Sequence, residues 1–416
     1  MSASDTQGAI DAVWRIEAPR LIAGLTSFVR DVGLAEDLAH DALVAALEQW
    51  PSAGVPDNPA AWLMATAKRR AIDRLRRDQR LARKQEELGR RLEAEERMAA
   101  ADLHATGSDD DLLRLIFMSS HPVLSTDARV ALTLRLLGGL TTDEIARAFL
   151  VPESTIAQRI VRAKKALADA HVPFEVPRGD ALTAQLASVL QVIYLVFNEG
   201  YAATAGDDWM RAGLCEDALR LGRVLAQLAP REPEVHGLVA LMEIQASRAR
   251  ARVGPTGEPV LLLDQDRGQW DRLLIHRGLA ALAQALSLGG SGPYVLQAEI
   301  AAHHARAATA AETDWRGIAA AYDALALVVP SAVVELNRAV AHGMAFGPAA
   351  GVALVERLVD EPALKTYHLL PSVRGDLLVK LGRSAEARRE FERAASLTDN
   401  VRERTFLLQR ASRAVE

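Results

Sequence analysis

The stretch Leu140–Leu167, LTTDEIARAFLVPESTIAQRIVRAKKAL, carries two short helical patterns joined by a tight turn. Thr141 followed three residues later by Glu144 is a capping box, in which hydroxyl and carboxylate each take a free backbone amide of the first turn. Ile145, Ala146 and Phe149 give this first helix one apolar face. Pro152 fits only the first turn of a helix and so predicts a second one after Leu150 and Val151. In that second helix Ile156, Ile160, Ala163 and Leu167 recur at helical spacing, while Thr155, Gln158, Arg162 and Lys165 line the opposite side, flanked by Ser154, Arg159 and Lys164. Gln and Arg read base edges, and Lys and Arg neutralise phosphates. The spacing predicts a DNA-binding helix-turn-helix; an amphipathic hairpin with a solvated basic face satisfies the same spacing.

Outward from this stretch, 416 residues exceed one small core and predict two to four domains. Half the residues are hydrophobic, aromatics are few and alternating strand-like runs are nearly absent, which predicts an all-α protein. The single cysteine, Cys215, excludes an internal disulfide and a thiol-rich zinc site. No apolar run approaches the roughly 20 residues that span a bilayer, and MSASDTQGAI lacks the parts of a signal peptide. A cytoplasmic protein with no membrane partner is expected.

Toward the amino terminus, Val13, Ile16, Leu21, Leu25 and Phe28 suggest a helix broken or kinked near Pro19. A second helix, Ala35 to Trp50, turns Leu38, Ala42, Leu43, Ala45 and Leu47 inward and Glu36, Asp37 and Asp41 outward. The cluster PSAGVPDNP predicts a loop, whose end at Asn58-Pro59 starts a third helix with Leu63, Ala67, Ala71 and Leu75 inside. From Trp62 to Lys84 the cations Lys68, Arg69, Arg70, Arg74, Arg76, Arg77, Arg80, Arg83 and Lys84 face only Asp73 and Asp78. Such a density repels itself unless it is solvated or meets a polyanion, and a nucleic acid is the polyanion that fits. Trp62 and Asn58, at the start of the same helix, supply a stacking surface and an amide suited to an unpaired base; a core role for Trp62 is the alternative.

AEDLAHDALVAALEQW, NPAAWLMATAKRRAIDRLRR and LSTDARVALTLRLLGGLTTDEIARAFLVPESTIAQRIVRAKKAL, in this order, resemble the two DNA-binding domains of a bacterial sigma-70 family sigma factor of the extracytoplasmic-function type. The resemblance implies sigma domain 2 over residues 1–84, a charged linker over 85–110, sigma domain 4 over 111–170, a second linker over 171–180 and an extension over 181–416. It implies that Asp37 and Asp41 touch the β′ clamp helices of core RNA polymerase, and that the β flap is a further contact. It assigns Asn58, Trp62, Lys68, Arg69, Arg70, Arg74, Arg76 and Arg77 to the −10 element of promoter DNA. Ser154, Thr155, Gln158, Arg159, Arg162, Lys164 and Lys165 go to the −35 element. Many relatives have asparagine where this chain has Arg69, which puts the −10 preference in question and leaves docking untouched. In such proteins the linker threads polymerase channels, so the acidity of 85–110 either mimics nucleic acid there or marks a passive spacer.

A minimal sigma factor would end near His171, yet about 245 residues follow. Helix pairs are predicted at Gly213–Leu228 with Glu232–Arg248, at Trp315–Val328 with Val333–Met344 and Pro348–Leu358, and at Tyr367–Leu381 with Ser384–Leu397. In the last pair, Leu381-Gly382-Arg383 followed by Ala387, Phe391 and Ala394 falls at tetratricopeptide-like offsets, so a degenerate helical-repeat array with a concave face for a protein partner is expected; an irregular bundle is the alternative. YLVFNEGYAA, DDW, LLLDQDRGQWD, GPYVLQAEIAAHHARA and DWRGIAAAYD resemble the sigma factors that carry such an extension, implying control in cis.

Asp264 and Asp266 lack the further oxygen ligands a cation loop needs and are expected to form salt bridges to Arg267 or Arg272. His303-His304 and Cys215 do not form a metal or nucleophile spacing, so no metal, cofactor or catalytic residue is assigned and an enzyme is not expected. The competing architecture is a helical-repeat scaffold with a DNA-binding tether.

Overall fold

Pro19 does not break the first helix. In the computed structural model, which describes residues 3–82, 108–149, 151–201, 212–254, 260–398 and 401–414, helix α1 runs unbroken over Ala3–Val29. An internal proline costs a helix roughly 3 kcal/mol, and here Leu21, Ile22 and Leu25, all at most 3 % exposed, offset it through burial. Ile16, on the same helix, is exposed.

Helix α2 spans Val32–Ala53, capped by Asp31, whose carboxylate accepts from the Leu34 amide at 2.9 Å. It runs past its expected end at Trp50, through Pro51, and stops at Gly54, whose φ of 85° is open to glycine. Only the remainder of the expected loop is non-helical. Asn58 then caps α3, Pro59–Ala82, by accepting from the Ala61 amide at 3.0 Å. The three helices pack on one another around Leu25, Leu38, Ala42, Leu63 and Ala67. The charged linker lies largely outside the described residues.

A Ser108–Asp111 capping box opens α4, Asp109–Ser119. His121 sits in the turn beyond and accepts from the Val123 amide at 3.2 Å, a turn-cap role. Helix α5, Thr126–Thr133, passes into a π-turn over Leu134–Gly138, closed by left-handed Gly139. Thr141 and Glu144 make the predicted box: the Thr141 amide donates to Glu144 Oε2 at 2.8 Å and the Glu144 amide to Thr141 Oγ1 at 3.1 Å. Helix α6, Thr142–Phe149, and helix α7, Glu153–Asp169, follow, with Pro152 one place outside the second helix instead of within its first turn. Ile156, Ile160, Ala163 and Leu167 are buried as their spacing predicted.

Residues 1–195 form one compact unit and 196–416 a second, and the boundary falls inside α8, Asp180–Tyr201. Contrary to the reading that no apolar run approaches a membrane span, Ala181–Tyr201 is long and apolar enough to cross a bilayer by length and composition. Its Leu186, Val189, Leu190, Val192, Ile193, Val196 and Phe197 are all buried within the protein, and Ser188 donates to the Ser120 carbonyl at 2.6 Å. Those contacts make it a core helix.

The second unit is a run of helices, each packed on a chain neighbour. In order they are α9 (Ala212–Leu228), α10 (Pro233–Ala246), α11 (Arg272–Ser287), α12 (Pro293–Arg306), α13 (Trp315–Val328), α14 (Ala332–Phe346), α15 (Pro348–Val355), α16 (Leu369–Lys380), α17 (Ser384–Leu397) and α18 (Val401–Arg413). Two of the expected helices, α13 and α17, have the expected ends, and α11, α12 and α18 were not among those expected. Gly237 lets α10 approach the backbone of α12: a Cβ there would lie 2.7 Å from the Val295 nitrogen. At the last predicted pair Gly382 takes φ of 73°, Ala387 and Ala394 are buried, and Phe391 packs on Gly375. Cys215 is buried, its thiol donates to the Phe197 carbonyl at 3.6 Å, and burial pushes its pKa up to about 12.

Asp266 and Asp271 act as caps, and among the described residues neither Asp264 nor Asp266 forms the expected salt bridge to Arg267 or Arg272. Asp266 accepts from the Gly268 amide at 2.9 Å, and Asp271 accepts from the Leu273 amide at 2.9 Å and the Leu274 amide at 3.1 Å.

Candidate nucleic-acid interface

Helix α7 has a dry side and a wet side. Its apolar stripe packs on α5 and α6, which leaves Ser154, Gln158, Arg162 and Lys165 exposed along the other side. These four side chains project from adjacent turns, the disposition a recognition helix needs to reach base edges and flanking phosphates. Thr155 is half-buried beside them. Arg159 is held at 3.2 Å by Asp127 on α5.

Lys164 is turned away from this group. Its ammonium is ion-paired to Glu36 of α2, and Arg135 Nε donates to the other oxygen of the same carboxylate at 2.6 Å. Arg135 also donates to the Leu140 carbonyl at 3.1 Å and contacts His40 Nε2 at 2.8 Å. Glu36, expected to face outward, is only 4 % exposed. The reason is tertiary: α2 is covered by α1 and α3 on one side, and Arg135 and Lys164 cover Glu36 on another. Burial pushes the Glu36 carboxyl up, but Lys164 and Arg135 outweigh it and hold the group below its ordinary value. Asp37, one residue on, is exposed.

On α3, Arg69, Arg74 and Arg76 are exposed. Arg70 donates to the Asp41 carbonyl at 2.6 Å and lies 3.6 Å from the Asp41 carboxylate, so a residue assigned to DNA and one assigned to polymerase restrain each other. Lys68 is only 7 % exposed. The side chain of Arg77 lies outside the described residues. Trp62 is half-buried, with its ring 5.3 Å from that of Trp50 in an edge contact, and Asn58 uses its side-chain oxygen as the helix cap. Trp62 is thus packed along one edge, and its ring is not fully enclosed.

Arg135 and His40 were not singled out from the sequence. Arg135 follows a buried run in a π-turn, a register no helical period forecasts. Among the described residues no group of three or more His, Cys, Asp or Glu is placed to hold a metal ion.

An exposed cationic recognition helix after a helical turn, together with a separate arginine-bearing helix, defines a DNA-binding protein of the helix-turn-helix class. Family models identify it further: residues 14–81 match sigma-70 region 2, residues 114–167 match sigma-70 region 4, and residues 185–286 match a family of unknown function, DUF6596. The ECF RNA polymerase sigma factor SigC of Mycobacterium tuberculosis (strain CDC 1551 / Oshkosh) is 32 % identical over 155 residues, 37 % of this chain and 75 % of that protein. The probable RNA polymerase sigma-C factor of Mycobacterium bovis matches to the same extent. Uncharacterized protein R00370 of Rhizobium meliloti (strain 1021) is 44 % identical over 401 residues, 96 % of this chain and 94 % of that protein. The chain belongs to the sigma-70 family of RNA polymerase sigma factors, with the extracytoplasmic-function proteins among its relatives.

Proposed function

We propose that this protein is the specificity subunit of a bacterial RNA polymerase: it binds core enzyme and directs initiation at a promoter, and its helical carboxyl region regulates or enables that activity. The two sigma regions, matched in family order, carry the reading. In it, α2 docks on the β′ clamp helices through Asp37 and Asp41, and residues 111–170 meet the β flap. Helix α3 holds the −10 element through Asn58, Trp62, Arg69, Arg70, Arg74, Arg76 and Arg77, with Lys68 of the same set buried on that helix. Helix α7 reads the −35 element through Ser154, Thr155, Gln158, Arg159, Arg162, Lys164 and Lys165. The extension over 181–416 acts as a tetratricopeptide-like array that takes a protein partner, and the protein works in the cytoplasm.

Arg159 and Lys164 are tied to Asp127 and Glu36 in the free chain, so full engagement of the −35 element requires these pairs to open. Transcription by core polymerase with and without the protein, on promoter fragments selected by the protein–polymerase complex, tests the reading. Initiation that depends on both is expected. Failure to form an open complex on any selected fragment, with the full chain and with residues 181–416 removed, would count against it.

A further inference from the structure

Three arginines of the second unit are set among aromatic rings, with no acid paired to them among the described residues. Arg248 follows α10, Arg252 ends the adjoining 3-10 turn, and Arg267 begins the short turn before α11. The Asp271 amide donates to the Ser247 carbonyl at 2.9 Å and fastens the two segments together. The Arg252 guanidinium lies 3.5 Å from the centre of the Tyr201 ring, and Arg248 lies 5.9 Å from Tyr201 and 5.9 Å from Trp270. Arg267 lies 5.0 Å from Trp270. Guanidinium and ring therefore alternate through five side chains.

Nothing among the described residues neutralises this ladder. Elsewhere in the unit Arg223, Arg338 and Arg374 sit on carboxylates, at 2.7 Å from Glu243, 2.6 Å from Asp323 and 2.8 Å from Glu356. Arg248, Arg252 and Arg267 form no such pair among the described residues; Glu312 acts on Arg267 only at longer range. Arg267 donates to the His304 and Ala307 carbonyls at 2.8 and 2.7 Å and to Thr313 Oγ1 at 2.9 Å, all neutral acceptors. Nε of Arg248, Nε of Arg267, Nε1 of Trp270 and Nδ1 of His304 are buried without a hydrogen-bond partner. Burial, reinforced by Arg248, Arg267 and His303, pushes the His304 pKa down to about 3, so this imidazole adds no charge at neutral pH and reports the positive field around it. Gathering like charges out of water is unfavourable unless an anion joins them.

We propose that Arg248 and Arg252, backed by Arg267, form a binding site for a small ligand bearing a phosphate or diphosphate group. A guanidinium fork matches phosphate oxygens, and one phosphate carries enough charge to balance more than a single arginine. Arg248 and Arg252 are half-buried, whereas Arg267 and Trp270 are 6 % and 3 % exposed. That depth suits a small molecule and keeps a duplex backbone from the inner arginine. The site lies in the carboxyl region and stands apart from the transcription reading, since binding is measured without polymerase.

Isothermal titration calorimetry of the full chain in phosphate-free buffer, with inorganic phosphate, inorganic pyrophosphate and malonate as probes, tests it. Pyrophosphate is expected to bind at one site, phosphate more weakly and malonate least. Arg248→Gln should weaken pyrophosphate about tenfold or more, and Arg250→Gln, at an exposed neighbour, much less. Arg248→Lys keeps the charge without the fork and should fall between, which covers the case where Arg248→Gln does not fold. Without added anion Arg248→Gln should melt no lower than the parent, because it removes a like charge. No binding of either phosphate probe, malonate binding as tight as pyrophosphate, or a lower melting point with unchanged pyrophosphate affinity would overturn the proposal.

Discussion

Lys164 on the recognition helix is ion-paired with Glu36 on α2, where the carboxylate is buried and also receives Arg135 at 2.6 Å. A cation assigned to a phosphate is thus held by an acid of the same chain, and the two uses exclude each other. Glu36→Gln should release it. Duplex carrying the selected −35 sequence should then bind several-fold more tightly by fluorescence anisotropy, while Lys164→Ala should remove the gain. Unchanged affinity in Glu36→Gln would show that the pair does not compete with DNA.

The same pair ties stability to pH. Glu36 has its folded-state pKa held below the ordinary value, so its contribution is present above the unfolded value, 4.5, and is lost as pH falls through the folded one. Breaking a buried pair from one side costs on the order of 3 kcal/mol. Amide exchange over 32–53 and 153–169 should therefore accelerate below about pH 4.5 in the parent. In Glu36→Gln it should already be fast at pH 7, and equal exchange in the two proteins at pH 7 would contradict this.

Arg69 and Arg74 are exposed on α3. Replacing both by Ala should leave the helix content unchanged and weaken promoter binding of the polymerase complex. If each neutralises one phosphate, the slope of log affinity against log salt should shrink by about 2. A weaker complex with an unaltered slope would mean that neither arginine meets a phosphate.

Gln158 and Arg162 present side chains from the open face of α7. Alanine at either should relax base preference within the −35 element, by about 1–3 kcal/mol at one position, with little change for unrelated duplex. Selection of randomised −35 sequences by each variant reads this directly. Uniform weakening across all sequences would reassign them to the backbone.

Gly237→Ala would place a methyl 2.7 Å from the Val295 backbone nitrogen, so α10 and α12 would have to separate. Overpacking of this kind costs about 1–3 kcal/mol. Calorimetry should show a lower transition for the second unit, with the first unit's transition unmoved.

What the sequence made legible was local. The Thr141–Glu144 box, the helix start at Asn58-Pro59 and the ends of Trp315–Val328 and Ser384–Leu397 rest on contacts within a few residues, and such contacts are written in the chain itself. The exposed cations of α7 followed from the apolar stripe opposite them. What escaped was decided from a distance. Pro19 stays helical because its neighbours are buried, Glu36 points inward because Arg135 and Lys164 arrive from about a hundred residues away, and Arg267 turns to the α12 end and not to the adjacent aspartates. Helix α11 was hidden by the turn-rich stretch before it, although Asp271 caps it.

Cys215 has a practical corollary. With its sulfur sealed and its acidity suppressed, the chain has no thiolate available to a maleimide at neutral pH. One cysteine introduced on α3 and another on α7 would accept a donor and an acceptor dye with no background labelling. The separation of the two helices proposed to face DNA then becomes a distance that can be followed in a single molecule as polymerase and promoter are added.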